Sequence, residues 1–166
     1  KPPTILFHYQ TGTAAAQRFA LALVGRWNAA FGAGTVVGVY NTIIGDINPP
    51  PEGSYPASLF GWLADYPDPQ DFLSLLYSSF SPYNSWHASV PDADRLMAQA
   101  DITRDFGTRA RLYHQAEQLL IQQAAVCPLY QYTKSYRAQP YLHGYVEDAL
   151  GAVPLDAWAG MYVGSH

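Results

Sequence analysis

The amino-acid sequence predicts an α/β fold, and three observations lead to this. The chain has 166 residues, of which 49% are hydrophobic and 14% aromatic, which is the scale of one globular domain. It opens with an apolar segment, a helix-like segment and a β-branched segment, the order of a β-α-β unit with two parallel strands and a right-handed crossover. Farther along, apolar residues recur at steps of three and four, which predicts further helices.

The charge content excludes several classes of partner. Charged residues make up only 13% of the chain, against a usual level of about 25%, and the net charge is −4. Such a balance provides no basic surface for nucleic acid or for an anionic membrane. The longest apolar stretch, residues 14–27, is interrupted by polar residues and is too short for a membrane span. A surface with so few charges indicates a face for a partner, or a piece of a larger body.

The first half of the chain is predicted as follows. Residues 4–9 form a strand, Thr13 caps a helix that runs to Ala30, and residues 35–40 form the next strand. Residues 48–56 contain four prolines and are predicted as a surface loop, since proline removes donors and fixes φ. Residues 58–62 are predicted as a short buried strand.

The second half is predicted to be mainly helical. Asp68 and Pro69 have the pattern of a helix start, with Asp71 as a second capping group, and this helix ends near Ser79. A short helix starts at Pro91. A long one covers about residues 105–125, with an apolar stripe and a solvated face; the stripe comprises Phe106, Ala110, Tyr113, Ala116, Leu120 and Ala124. Residues 129–132 are predicted as a strand, and residues 134–166 show no helical period.

The residues that usually carry enzyme chemistry are not arranged for it. The five histidines are scattered without a metal-ligand spacing, and no phosphate-binding loop or nucleophile elbow occurs. Cys127 is interpreted as a small buried hydrophobic residue. We therefore predict no metal, no cofactor and no catalytic residue.

Asp65 differs from the other acidic residues in its position. It follows the predicted strand at residues 58–62 and lies between Trp62 and Tyr66. Ligands of open α/β sheets bind where strands end, and a carboxylate in apolar surroundings is costly unless a cation pairs with it. The pattern alone leaves two interpretations open, a ligand-binding carboxylate and a turn aspartate bonded to backbone amides.

Four segments together give the sequence a recognisable family. They read Gly-Trp-Leu-Ala-Asp-Tyr-Pro-Asp-Pro-Gln-Asp-Phe-Leu at residues 61–73, Arg-Ala-Arg-Leu-Tyr-His-Gln-Ala-Glu-Gln-Leu-Leu at 109–120, Val-Cys-Pro-Leu-Tyr-Gln-Tyr at 126–132, and Gln-Pro-Tyr-Leu-His-Gly-Tyr at 139–145 with Met-Tyr-Val-Gly-Ser-His at 161–166. In this order they resemble the C-terminal part of the family-5 extracellular solute-binding proteins of oligopeptide ABC importers.

The resemblance implies a two-lobed clamshell of the periplasmic-binding-protein type, longer than this chain, with a mixed sheet flanked by helices. Residues 1–133 would form part of the C-terminal ligand-binding lobe, and residues 134–166 a return segment that docks on the N-terminal lobe. The implied partners are a peptide ligand, the importer's membrane permease and the N-terminal lobe of the same protein. The implied location is the periplasm, or the outer surface by a lipid anchor in a Gram-positive organism.

The resemblance also implies ligand-binding residues, which are not catalytic. Asp65 would pair with the free α-ammonium of a peptide, Trp62 would line a side-chain pocket, and Leu63 would offer main-chain groups to an extended ligand. Tyr132 would face the ligand near the hinge. Asn84 and Tyr40 correspond to ligand-facing positions across irregular segments. Some relatives carry an arginine for the peptide carboxylate three residues before the tryptophan, where this chain has Leu59.

Two alternatives remain open at this stage. Members of the family also take nickel complexes, haem, opines or oligosaccharides, so the ligand of this chain need not be a peptide. A hydrolase that uses Asp65 and Asp68 is the second alternative, and it predicts turnover of a peptide or glycoside.

Overall fold

The computed structural model describes residues 3–10, 12–40, 54–84, 87–133, 135–148 and 150–165, without the side chains of residues 54 and 55. Two compact units divide it, residues 1–62 and residues 63–166. The division predicted between residues 133 and 134 concerns the intact two-lobed protein and stays a prediction. The elements are β1 Thr4–Tyr9, α1 Ala14–Phe31, β2 Val36–Tyr40, β3 Ser54–Ser58, a 3-10 helix Pro69–Asp71, α2 Ser74–Tyr77, α3 Pro91–Ile102, α4 Phe106–Gln122, β4 Leu142–His143, α5 Leu155–Trp158 and β5 Tyr162–Val163.

The first unit contains the predicted β-α-β arrangement. Strand β1 pairs in parallel with β2 on one side and with β3 on the other, so the sheet order is β2-β1-β3. The predicted helix start is confirmed, since the Thr13 side chain accepts a hydrogen bond from the Ala16 amide at 3.2 Å. The predicted helix end is confirmed at Gly32, whose φ of 104° is unfavourable for residues with a side chain.

The core of the first unit joins α1 to the sheet. Phe7, Tyr9, Ala20 and Val36 are buried together, and the rings of Phe7 and Trp27 meet edge to face with centroids 5.0 Å apart. Asn28 of α1 adds a polar link, because its amide donates to the Val36 carbonyl and accepts from the Val36 N–H, both at 2.8 Å. Helix and strand are therefore held by apolar packing and by a two-bond polar clamp.

The third strand lies four residues earlier than predicted. It covers Ser54–Ser58 rather than residues 58–62, and so takes in Pro56 from the predicted loop; residues 41–53 of that region lie outside the described residues. The Leu59 N–H donates to the His8 carbonyl at 2.8 Å. Since N–H groups alternate in direction along a parallel strand, position 56 faces away from β1, and proline costs no ladder bond there.

The second unit is built on the helix pair α3 and α4. Ala93, Met97, Ala100, Tyr113, Ala116 and Leu120 are buried between them, and the alanines allow the helix backbones to approach closely. The predicted solvated face of α4 is confirmed by the exposure of Arg111, Gln115, Gln118 and Gln122. In the described part of the chain no helix is long and apolar enough to cross a membrane.

Both ends of the predicted α4 stripe were wrong. Phe106 is 75% exposed because it begins the helix, outside the cluster shared with α3. Ala124 lies beyond the last helical residue and has a left-handed backbone, with φ of 54°. The predicted helix at residues 69–79 is also shorter than expected, a 3-10 turn followed by the four residues of α2. The prediction of a buried Cys127 was wrong as well, since Cys127 is exposed after the end of α4.

The predicted strand at residues 129–132 does not form in this chain. A strand is defined by hydrogen bonds to a neighbouring strand, and residues 129–132 belong to none of the strands that the described residues form. Residues 134–166, predicted to lack a helical period, form only short elements in their described part. Strand β4 pairs antiparallel with β5, with Leu142 opposite Val163.

Candidate ligand-binding site

Asp65 lies in an irregular segment just before the 3-10 helix, in the second unit. Its side chain is exposed, and within the described residues its carboxylate takes part in no hydrogen bond or ion pair. The backbone of Asp65, by contrast, is held in place, because its N–H donates to Oδ2 of Asp71 at 3.2 Å. Within the described residues, then, the Asp65 carboxylate accepts no bond from a backbone amide, as the turn-aspartate interpretation would require.

Asp71 makes a hydrogen bond that its sequence position did not predict. It was predicted as a second helix cap, but its side chain is fully buried (0% exposed) and accepts from the Asp65 N–H six residues earlier. This contact links two residues of the segment through a buried side-chain acceptor and a main-chain donor. The segment between them is tightened further where the Tyr66 hydroxyl donates to Oε1 of Gln70.

Asp68 combines the predicted capping with an ion pair. Its Oδ1 accepts from the Gln70 N–H at 2.8 Å, as predicted for a helix start, and also from a guanidinium nitrogen of Arg109 at 2.9 Å. The Arg109 hydrogen bond is the main cause that lowers the pKa of Asp68. The same bond raises the pKa of Arg109. Residues 65–71 are in this way attached to α4.

The Arg109 guanidinium is also held by carbonyl groups at the C-terminal end of α3. One guanidinium nitrogen donates to the carbonyl of Ala100 at 2.6 Å and to that of Asp101 at 3.1 Å, and the other also reaches the Tyr113 hydroxyl at 3.2 Å. Tyr113 donates to Oδ1 of Asp101, which also accepts from Ser74 at 3.0 Å. Burial, followed by the hydrogen bond to Asp101, raises the pKa of Tyr113.

Several carboxylates make the segment around Asp65 negatively charged. The pKa of Tyr66 is raised, first by burial and then by the charges of four carboxylates, Asp71, Asp68, Asp101 and Asp65. Arg109 neutralises part of this charge at Asp68. A cation near the Asp65 side chain would meet a favourable potential and an acceptor with open lone pairs.

The other predicted site residues of the second unit are placed differently. Leu63 is 71% exposed, and Tyr132 is 70% exposed, with its hydroxyl accepting from that of Tyr130 at 2.9 Å. Asn84 is buried and holds its own loop: it donates to the carbonyls of Ser78 and Ala88 at 3.2 and 2.7 Å, and accepts from the Ala88 N–H at 3.0 Å. These bonds occupy the Asn84 amide, and its contact with a ligand stays a prediction.

The remaining two predicted residues belong to the first unit. Trp62 is half-buried and stacks on Phe60, with ring centroids 6.0 Å apart. Tyr40 ends β2, is 52% exposed and meets the Tyr9 ring edge to face at 5.7 Å. Leu59 is half-buried against the core of this unit.

Two features of the site were missed by sequence reasoning. Arg109 and Asp101 were not candidates, since neither lies near Asp65 in the sequence. Arg109 reaches Asp68 because α4 lies against the 3-10 helix, and Asp101 takes part through its contacts with Arg109 and Tyr113. Among the described residues no group of three or more His, Cys, Asp or Glu side chains could hold a metal ion.

Comparison with known proteins places this arrangement in a wider class. No protein-family model matches the chain. It is 33% identical over 117 residues to the periplasmic oligopeptide-binding protein OppA of Escherichia coli, covering 69% of the chain and 21% of the relative. It is 31% identical over 131 residues to the periplasmic murein peptide-binding protein MppA of the same organism, covering 78% of the chain and 24% of the relative. The chain thus spans about a fifth to a quarter of these relatives' length.

The fold agrees with the sequence comparison. A solved structure of MppA, described as a periplasmic murein tripeptide-binding protein in its unliganded open form, superposes with a TM-score of 0.71 and 28% identity over 99% of this chain and 31% of that one. Fold and sequence therefore place the chain in the class of solute-binding proteins to which these relatives belong. Within that class, this chain belongs to the family-5 extracellular solute-binding proteins.

Proposed function

We propose that this chain forms part of the substrate-binding protein of an ABC importer and contributes the residue that recognises the free N-terminal amine of a peptide. The observation that carries the proposal is the Asp65 carboxylate, which is exposed while its backbone is fixed by the buried Asp71. The surrounding negative charge, felt at the Tyr66 hydroxyl, favours a cationic group. The names of the relatives support a peptide as the bearer of that group.

The proposed binding is non-covalent and follows the physics of strand addition. A peptide bound in extended form satisfies its main-chain groups on the protein backbone, here at Leu63, while its ammonium pairs with Asp65. Trp62 and Tyr132 would offer aromatic surfaces to its side chains, with Tyr40 and Asn84 as further candidates. Closure of two lobes about a hinge would enclose the ligand and present the closed form to the permease.

The proposal includes a location and excludes turnover. The periplasmic relatives support delivery of the ligand outside the cytoplasmic membrane, where an importer collects it. The protein would release its ligand unchanged, because the proposed recognition uses the Asp65 carboxylate as an acceptor for a cation and includes no covalent step. This distinguishes the proposal from the hydrolase alternative, for which incubation with a peptide would give cleavage products.

Calorimetry on the full-length protein tests the proposal. We expect trialanine to bind, and N-acetyl-trialanine to bind roughly 10- to 150-fold more weakly, since a charge-assisted hydrogen bond contributes about 1.5–3 kcal/mol. Asp65→Asn should weaken trialanine by a similar factor and leave the acetylated peptide unaffected. Asp92→Asn is the matched control, an exposed carboxylate on α3 that pairs with Arg95. Equal affinities for the two peptides in the wild-type protein, or binding of haem or a nickel chelate alone, would refute the proposal.

A further inference from the structure

We propose that Asp71 is a positioning residue for ligand recognition, one that holds the Asp65 carboxylate in the orientation which discriminates a charged amine from a neutral group. This inference rests on the proposed function and extends it to a residue with no ligand contact of its own. Asp71 is fully buried, and its Oδ2 accepts from the Asp65 N–H at 3.2 Å. This contact restrains the Asp65 backbone, from which the side chain projects, and involves neither of its carboxylate oxygens.

The surrounding contacts make Asp71 a rigid point of attachment. It ends the 3-10 helix Pro69–Asp71, whose start is capped by Asp68 at the Gln70 N–H. Asp68 is in turn tied to Arg109, which is anchored on the carbonyls of Ala100 and Asp101. The turn that carries Asp71 is thus attached to both α3 and α4, while Asp65 is attached to that turn through Asp71.

The Asp71 contact should affect the discrimination between free-amine and acetylated peptides more than the affinity for peptides as such, because only the amine contact depends on the position of Asp65. An ammonium-carboxylate hydrogen bond depends on distance and direction, and a shift of about 1 Å removes much of its advantage over water. Main-chain bonds and apolar contacts to the rest of a peptide do not depend on Asp65. Loss of the Asp71 contact should therefore weaken binding of a free-amine peptide selectively.

The test compares two substitutions at position 71 in the full-length protein, with trialanine and N-acetyl-trialanine as ligands. Asp71→Ala removes the acceptor, and we expect it to reduce the ratio of the two affinities about tenfold while the acetylated peptide keeps its affinity within about twofold. Asp71→Asn keeps a carbonyl oxygen in the same place and should retain the wild-type ratio within about twofold. Melting temperatures of both variants establish that they are folded.

Several results would overturn the inference. If Asp71→Ala lowers both affinities equally, or changes neither, the residue is merely structural or has no part in recognition. If Asp71→Asn loses the ratio as well, the charge of Asp71 matters and not its hydrogen bond. Should Asp71→Ala fail to fold, hydrogen exchange of the wild-type protein decides: slow exchange of the Asp65 amide supports the contact, and exchange at the unprotected rate refutes it.

The outcome also separates this inference from the proposed function. If the wild-type protein does not distinguish the two peptides, both proposals fail. If the wild-type protein distinguishes them and Asp65→Asn abolishes the distinction, but Asp71→Ala preserves it, then only the positioning role of Asp71 is wrong.

Discussion

Removal of the Arg109 side chain should loosen the attachment of residues 65–71 to the helix pair. Arg109 makes four hydrogen bonds, one of them charge-assisted to Asp68 at 2.9 Å and two to carbonyls at the end of α3. A charge-assisted bond contributes about 1.5–3 kcal/mol when buried. The side chains of Arg109 and Asp68 are 18% and 33% exposed, so water offsets part of this. We therefore expect Arg109→Gln to lower the free energy of unfolding by about 1–2 kcal/mol.

The dependence on pH follows from the lowered pKa of Asp68. Its ordinary value is 3.8, and the folded value lies below that. A group whose pKa is lower in the folded state stabilises the protein above its unfolded pKa, and this contribution disappears as the pH falls through the folded value. The difference between wild type and Arg109→Gln should thus be constant above about pH 5 and shrink below 3.8.

Urea unfolding of the chain at pH 7 and at pH 3, followed by circular dichroism, measures both effects. Arg95→Gln is the matched control, because Arg95 pairs with Asp92 on the surface, where their side chains are 78% and 64% exposed. That pair should contribute less than about 0.5 kcal/mol. If the two variants lose the same stability at pH 7, or if the Arg109→Gln difference grows in acid, the reasoning about the buried attachment is refuted.

Two further predictions concern the framework. Ala124→Gly should stabilise the chain by about 0.5–1 kcal/mol, because Ala124 has a φ of 54° in a helix-ending motif where the next N–H bonds to the Leu120 carbonyl at 2.9 Å. The same change within α4, Ala110→Gly, should destabilise it by about 1 kcal/mol, and urea unfolding that gave both the same sign would contradict this. Asn28→Ala should cost about 1–3 kcal/mol and accelerate hydrogen exchange at the Val36 amide, which loses its acceptor at 2.8 Å; unchanged exchange would show that the clamp does not form.

Local signals predicted well those parts of the fold that are determined locally. Thr13, Asp68 and Pro91 marked helix starts that the structure confirms, since a cap or a first-turn proline depends on residues within one turn. The third strand was displaced because proline was treated as excluding strand, whereas an N–H direction facing away from the neighbour permits Pro56. The strand expected at residues 129–132 depends on a pairing partner, which no local pattern can supply.

The candidate site shows the same division between local and long-range information. Asp65 could be singled out from its position between two aromatic residues, and the resemblance to a family motif predicted that it binds the ammonium group of a peptide. Asp71 could not be distinguished from a cap, because its burial depends on tertiary packing, in which α2 and α4 contact the 3-10 helix. Arg109 lies 41 residues from Asp68, so its ion pair follows only from the long-range contact of α4 with the 3-10 helix.

A ligand-binding carboxylate has two requirements that conflict. It must be held firmly, or the entropy of fixing it is lost on binding, but each hydrogen bond to its oxygens makes it a poorer acceptor for the ligand. Here the restraint acts on the Asp65 main chain, through the buried Asp71. The ion pair between Asp68 and Arg109 joins the turn to α4. Three acidic residues within one short segment thus divide the work, and only the exposed one keeps its charge available to a ligand.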